Sequence, residues 1–579
     1  MRWKILSELS SAAETAKMLG ISPVTAAVLS NRGYDSPQKI KEFLNLSSDT
    51  LGDTSLIDDF DKGLEITKSY IESGEKIYIY GDYDADGVTS TVILYRALSE
   101  LGADVSYYMP HRVYDGYGLN MAAVEKIAED GCSLLITCDN GIAALDEIDR
   151  AKELGMKVVI LDHHEPVMRD EKEQLPNGDA VIDCKRSGCR FPFREMCAGG
   201  LCYRFAAALF KLMERKFTLN RELVTFAGIA TVCDIVPLKY DNRIFVKNAL
   251  YLINRDIRNI GLSALTAMSV LPGKKITPYI LGYNIGPCIN AIGRLETAAE
   301  AVELFITDDR TKATELAAKL VQANKERREL TQAAEEKIAD MIDGSLPVQV
   351  LYVPDIHESI AGIAAGHVKD RYFRPTLVIT KGSEGCKGSG RSIEGYDLHK
   401  NLSQFPQLFT KFGGHAMACG FSLPYENIDK LRKALNDACT LGPEDLTPSL
   451  KLDCMIPSDM LTLELAKELE TLEPFGCAYE KPHFFTLSIK LSGIKYVGQE
   501  LNTVKLYFTG KNGTKIQAMF FNGTENTEQF LEEKGNGGLI PKLKRGEYVR
   551  TDIEADIAYS IIVGSYNGEY IQLTMDEIR

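Results

Sequence analysis

Short apolar runs alternate with amphipathic stretches through the first part of the chain. Phe60 to Ser73 has helical spacing and leads into Lys76–Tyr80 (KIYIY), a run of apolar and β-preferring residues that reads as a short buried strand. Gly87 opens an amphipathic helix that runs to about Leu101. Asp104 to Tyr108, Ser133 to Thr137 and Lys157 to Leu161 follow as strands, with a helix through Leu154 before the last of them and a further short strand at Ala180 to Asp183. Alternation of this kind predicts an α/β fold with a mostly parallel sheet and helices on both faces.

Helical spacing then dominates, over Arg243 to Ile253, Glu296 to Phe305 and Arg310 to about Met341. The last of these carries Asn324, Lys325, Arg327 and Arg328 and is long enough to bridge two domains. A second α/β pattern starts near Pro347, with the strand VQVLYV, a helix near Ile360 to Lys369 and the strand Thr376 to Thr380. From about Ser449 the tail is β-rich, and its five or so strands fit a small barrel of the OB type. The expected division is therefore a helical segment over 1–55, a first α/β domain over 56–309, a connecting helix over 310–345, a second α/β domain over 346–445 and a barrel over 446–579. The first segment looks like a helical cap or docking element and carries no readable chemistry. There is no internal repeat and no low-complexity tract.

Composition narrows the class. At 579 residues, 45% apolar and 25% charged, the chain is a globular protein too long for one core. Met1 to Ser10 does not read as a secretory leader, and no window approaches 18 uninterrupted apolar residues, so a membrane span is not expected. The 13 cysteines are scattered, and Cys184, Cys189, Cys197 and Cys202 lack the tight pairing of a zinc ribbon; reduced thiols in a cytoplasmic protein are the simpler account. A formal charge of −15 argues against indiscriminate binding to a polyanion. It leaves room for a nucleic-acid enzyme, because the potential that matters is that of the groove.

The candidate chemistry sits where strands end. Asp82, Asp84 and Asp86 crowd one turn after Tyr80, and their mutual repulsion is relieved by a bound cation. Asp139 follows the strand at 133–137, His163 and His164 follow the strand at 157–161, and Asp234 follows an apolar helix over Leu223 to Val232. In an open α/β sheet such strand ends share one edge, where ligands bind. Asp84, Asp86, Asp139, His163 and Asp234 form an oxygen-rich set without thiolates, which suits Mn²⁺ or Mg²⁺. Four carboxylates exceed the need of one ion and fit two, the arrangement that clamps attacking and leaving oxygens at phosphorus. Asp139, on the middle of the three strand ends, is the expected bridging ligand. Consecutive side chains at a strand end point to different sides. His163 is therefore assigned to metal, and His164 to the scissile phosphate or to protonation of the leaving oxygen. GSGRS (Gly388 to Ser392) reads as a Gly/Ser loop with an arginine fork suited to phosphate, and GGHA brings His415 beside a flexible backbone. Tyr507, Phe520, Tyr559 and Tyr570, with Lys542, Lys544 and Arg545, are candidates to hold a single strand on the barrel, though part of the aromatic set would be barrel core.

GDYDADG (Gly81 to Gly87), TCDNGI (Thr137 to Ile142), ILDHHEP (Ile160 to Pro166) and TVCDIVPL (Thr231 to Leu238) resemble the four signature motifs of the DHH phosphoesterase superfamily, and most closely its RecJ-type single-strand-specific exonucleases. HRVYDGYGL, INAIGRL, GSGRS, GGHAMACG and LEPFG extend the likeness over roughly residues 55 to 579. The resemblance implies manganese ligation by Asp84, Asp86, Asp139, His163 and Asp234, and a phosphate contact from His164. It also implies a pocket for the 5′-terminal phosphate at Arg112, Ser389 and Arg391, a DNA-backbone contact at Arg294, and substrate binding near His415. The activity it implies is 5′-to-3′ hydrolysis of single-stranded DNA to nucleoside 5′-monophosphates in DNA repair and recombination. A monomer is expected, with a single-strand-binding protein and a helicase as partners. Departures from the family pattern include Cys138 and Cys233 beside the ligands, expected to pack without ligating, and the stretch around His357, whose role the sequence leaves open. The alternatives are an oligoribonuclease or cyclic-dinucleotide phosphodiesterase of the same superfamily, against which the barrel speaks, and a non-catalytic single-strand-binding scaffold, against which the complete ligand set speaks.

Overall fold

The architecture is that of a computed structural model, which describes residues 2–111, 118–382, 385–511, 513–565 and 568–579. Five parallel strands form the first sheet, in the spatial order Val105–Tyr108, Ile77–Tyr80, Leu134–Cys138, Lys157–Leu161 and Ala180–Ile182. Side chains alternate between the two faces, as strand geometry requires. Ile77, Ile79, Leu134, Ile136 and Val159 enter one core with Val88 and Val92 of the helix Ala85–Glu100 and with Leu201, Phe205 and Phe226 of two later helices. Leu135, Val158 and Ile160 enter the other, against Val124, Ile127 and Ile148. Register pairs Tyr80 with Tyr108 and Thr137, and Thr137 with Ile160, so the carboxyl ends of the strands lie level along one edge. A small hairpin, Val167–Arg169 with Lys172–Gln174, was not evident from the sequence.

The helix Arg310–Ala339 is about 45 Å long at 1.5 Å per residue. Ala313, Ala317 and Leu320 lie in the first core, while Ala334 and Ile338 pack with Leu351, Val353, Ile360 and Ala364 of the second domain. One rigid element thus belongs to two cores.

The second sheet runs Lys411–His415, Ala418–Leu423, Cys386–Arg391, Thr376–Lys381 and Gln349–Tyr352. Only its last pairing is parallel. GSGRS is therefore a strand for most of its length and not a loop. A Cβ at Gly388 would lie 2.2 Å from the Phe421 ring, so glycine is required here by close approach across the sheet.

The tail closes into a five-stranded barrel: Phe484–Val497, Thr503–Thr509, Lys515–Phe520, Tyr570–Ile578 and Val549–Gly564, which pairs back onto the first. Tyr559 and Phe520 are buried in the barrel core, whereas Tyr507 and Tyr570 are half-exposed. Lys544 pairs with Glu528 and Arg545 with Glu547, so two of the three cations in the basic run are partnered by carboxylates.

The first residues dock on this last domain. Arg2–Ile5 pairs in parallel with Ser449–Leu452. The helices Leu9–Leu19, Pro23–Asn31 and Pro37–Leu44 share a core with the barrel, Val24, Val28 and Phe43 packing with Ile456, Leu469 and Tyr479. Arg32 closes a buried ion pair with Asp453 at 2.6 Å. Arg243, on the helix Tyr240–Ile253 of the first domain, donates to the carbonyls of Leu472, Glu473 and Pro474 at 2.7, 2.9 and 2.8 Å. Its guanidinium also lies over the rings of Phe43 and Tyr479. LEPFG is thus the joint between first domain, first helices and barrel.

Candidate metal centre

Three strand ends and one helix end deliver the acidic set. Asp84 caps the helix Ala85–Glu100, its Oδ1 accepting from the N–H groups of Asp86 and Gly87 at 2.9 and 3.1 Å. Asp86 lies in the first turn of that helix and is buried. Its two oxygens accept from the backbone N–H groups of Ala198 and Gly199 at 2.9 and 2.7 Å, the opening residues of the helix Ala198–Leu212. A Cβ on Gly199 would meet Ala230 at 2.5 Å and Asp86 Oδ1 at 3.1 Å, so the bare residue lets this helix end reach the carboxylate. Asp139 leaves its strand with φ 62°, a left-handed conformation that Asp tolerates and that turns its carboxylate into the edge. Asp234 is the C-cap of the helix Asn220–Cys233.

These groups converge as two adjoining trios. Asp82, Asp84 and Asp139 offer ligand atoms within 4.8 Å of one another, and so do Asp86, His163 and Asp234. Asp139 also groups with His163 and His164 on the same measure, and its Oδ1 lies 3.1 Å from His163 Nε2. His163 Nε2 is 3.7 Å from both Asp86 and Asp234. Asp82, buried in the same turn, groups with Asp84 and Asp139, although the expected ligand set took only Asp84 and Asp86 from this turn. Neither cysteine beside the ligands is part of these groups: Cys138 Sγ faces Thr91 Oγ1 and Cys233 Sγ faces the Leu281 carbonyl.

The electrostatics without a cation are unfavourable. Burial, then the Asp86 and Asp84 charges, push Asp139 well above the carboxylate range. Burial and Asp84 raise Asp86, and burial with Asp86 and Asp84 raises Asp234. Burial and the neighbouring His164 charge lower His163 to about 3, so its imidazole is neutral. A neutral ring nitrogen and a carboxylate oxygen at 3.1 Å are held by one shared proton or by a cation that both ligate. An oxygen-rich pair of trios with one imidazole fits Mn²⁺ or Mg²⁺.

His164 is a different group from its neighbour. Its Nδ1 lies 2.7 Å from Asp162 Oδ1. Asp162 is itself fixed by the N–H groups of Ile142 and His163 at 2.9 and 2.7 Å. Burial opposes charge on His164, but the bond and charge of Asp162, with Asp234 and Asp86, raise it to about 9. Burial likewise disfavours charge on Asp162, yet the bond from His164 holds it at about 2. The two rings do not point to opposite sides. Both residues lie past the end of the strand, and the rings sit 4.5 Å apart, tilted, with different partners. Asp162 as the group that orients His164 is a role the sequence reading left out, although it stands in the DHH triplet itself.

The remaining substrate candidates lie mostly in the second domain. Arg391 Nη1 donates to Ser389 Oγ and to the Gly390 carbonyl, at the strand Cys386–Arg391. Ser389, Gly388 and Lys387 line a cavity of about 450 Å³ whose other wall includes Tyr83 of the acidic turn and Ser359. Arg294 Nη1 donates to the Ser359 carbonyl at 2.8 Å, tying the helix Gly286–Leu295 to the second domain. His415, exposed, ends the strand Lys411–His415. His357 is the N-cap of the helix Glu358–Tyr372, accepting from Ser359 N–H. Arg112 lies outside the described residues.

Comparison with known proteins gives the same organisation. Residues 76–231 match the DHH family N-terminal domain, 345–441 the DHHA1 domain and 452–577 the RecJ OB domain. The chain is 34% identical over 536 residues to the single-stranded-DNA-specific exonuclease RecJ of Bacillus subtilis, covering 91% of this chain and 66% of that one. It is 34% identical over 529 residues to RecJ of Haemophilus influenzae, covering 87% and 88%. The crystal structure of RecJ with Mn²⁺ from Thermus thermophilus superposes with a TM-score of 0.80 at 25% identity, over 100% of this chain and 79% of that one.

Proposed function

Since the chain belongs to the RecJ family, we propose that it is a divalent-metal-dependent exonuclease that hydrolyses single-stranded DNA from the 5′ end and releases nucleoside 5′-monophosphates. The observation that carries this reading is the pair of adjoining trios, Asp82–Asp84–Asp139 and Asp86–His163–Asp234, in which three carboxyls are raised by burial and one another. Asp84, Asp86, Asp139, His163 and Asp234 would hold two Mn²⁺ or Mg²⁺ ions, and Asp139, which belongs to one trio and lies 3.1 Å from His163 of the other, is placed to serve both. Bound ions supply positive charge for the attacking and leaving oxygens at phosphorus.

The chain's own groups do the rest. His164, charged across the neutral range and held by Asp162, binds a non-bridging phosphate oxygen and stands within reach of a leaving oxygen that needs a proton. Ser389 and Arg391, with Arg112, hold the terminal 5′ phosphate, and His415 lies on the same domain. Arg294 contacts the backbone of the strand where the two domains meet. The half-exposed Tyr507 and Tyr570 of the barrel are the aromatics left to face a strand. The reading divides the chain at 56–309, 310–345, 346–445 and 446–579, with 1–55 as a docking element. A monomer in the cytoplasm, working with a single-strand-binding protein and a helicase in repair and recombination, completes the reading. Among the described residues no helix is long and apolar enough to cross a membrane.

The test is digestion of a long single strand labelled at its 5′ end. Stepwise release of labelled mononucleotide with Mn²⁺, and a loss of at least about 10³-fold in Asp139→Ala with the fold retained, are expected. Cleavage only of dinucleotides, or unchanged turnover in Asp139→Ala, overturns it.

A further inference from the structure

Outside the metal centre, one surface combines exposed rings, positive charge and a cavity. Tyr279 and Tyr283 are stacked with ring centroids 4.5 Å apart and planes at 20°, yet are 64% and 63% exposed. Two large aromatic side chains left in water beside each other bury little of their own apolar surface, and stacked rings present a flat face to a third. They stand on either side of the start of a π-helical turn, Leu281–Ile285, a form uncommon in proteins and frequent at functional sites.

That turn is packed against the metal centre. The Leu281 carbonyl faces Cys233 Sγ, and a Cβ on Gly286 would lie 2.3 Å from the same sulfur, next in sequence to Asp234. The helix that continues from the turn reaches the acidic loop itself, Asn290 accepting from Ala85 N–H at 2.7 Å. Pro278, next in sequence to Tyr279, lines a cavity of about 710 Å³ whose walls include Tyr251, Arg255, Lys274 and Lys275 and, from the barrel joint, Glu473 and Pro474. Arg255 lies 4.1 Å from the centroid of the exposed Tyr251 ring, and Arg328 of the bridging helix donates to the Tyr283 carbonyl. In a chain of net charge −15, cations gather here with one carboxylate, Glu473, in the cavity wall.

Resting on the exonuclease reading, we propose that Tyr279 and Tyr283 form a stacking platform for bases of the single strand between the metal centre and the barrel, with Arg255, Lys274 and Arg328 meeting its phosphates. Stacking on rings is indifferent to base identity, and cations follow the backbone, so the platform grips any sequence. It lengthens the bound strand beyond the nucleotides at the metal centre, and its contribution therefore depends on oligonucleotide length.

The experiment measures fluorescence anisotropy of 5′-phosphorylated, 3′-labelled oligothymidylates of about 4 and about 20 nucleotides with the full chain carrying Asp139→Ala to stop hydrolysis. Adding Tyr279→Ala and Tyr283→Ala weakens binding of the longer probe about tenfold and that of the shorter one much less, while Tyr279→Phe with Tyr283→Phe keeps the longer probe bound. Lys274→Ala with Arg328→Ala flattens the salt dependence for the longer probe. Equal affinities of the alanine and parent proteins for the longer probe overturn the proposal, as does a loss of the same size at both lengths. A parent chain that binds neither probe, together with wild-type protein that hydrolyses no single strand, overturns the exonuclease reading and the platform with it.

Discussion

Asp139 carries the cost of the centre in its own backbone and in its charge. Its left-handed φ is stored strain, and its carboxylate shares a buried edge with Asp86 and Asp234. All three carboxyls have folded-state pKa values above the unfolded value of about 3.9. Without metal, the folded form is favoured while they keep their protons, and this contribution is lost as pH rises through the raised values. A divalent cation replaces those protons. Mn²⁺ is therefore expected to raise the melting temperature more at about pH 8.5 than at about pH 6, with a difference of ~5 °C in scanning fluorimetry against EDTA. A Mn²⁺ shift that is the same at both pH values contradicts the account. The convergence of the acidic strand ends and His163 on one sheet edge was legible because carboxylates crowded at strand ends are otherwise unfavourable. The N–H groups of Ala198 and Gly199 that hold Asp86 were not, since backbone donors leave no side-chain signature and the GG pair reads as helix-weakening.

At the scale of elements, hydrophobic runs marked most strands of the first sheet and the barrel because those strands bury apolar side chains on at least one face. Cys386–Arg391 escaped: CKGSGR is poor in β-preferring residues and is a strand because its neighbours on both sides pair with it. The LEPFG joint escaped for another reason, its meaning lying in Arg243, more than two hundred residues earlier. Arg243 is buried, makes three bonds to carbonyls and packs on two rings, and lysine cannot reproduce its fork. Arg243→Ala is expected to cost about 3–4 kcal/mol, read as a lower urea midpoint for the barrel's aromatic signals, with Arg243→Lys recovering only part. A change below about 0.5 kcal/mol would mean that the joint is held by apolar packing alone.

In the whole molecule, the bridging helix fixes how far apart the first and second cores stand, because each grips one half of a single rod. The first helices and the barrel form another unit, whose core holds Val24, Val28 and Phe43 beside Leu469 and Tyr479. Deleting residues 1–44 therefore uncovers an apolar face of the barrel. The truncated chain is expected to bind a hydrophobic dye strongly and to aggregate at concentrations where the full chain does not, and a soluble, dye-silent product would show that the segment is dispensable.

The pairing of Arg2–Ile5 with Ser449–Leu452 also has a consequence for biogenesis. A ribosome delivers this strand and the helices after it before their partner surface, which follows some four hundred residues of translation later. Through that interval the nascent segment has no partner for its apolar face, so the docking of Val24, Val28 and Phe43 waits for the barrel strands to emerge.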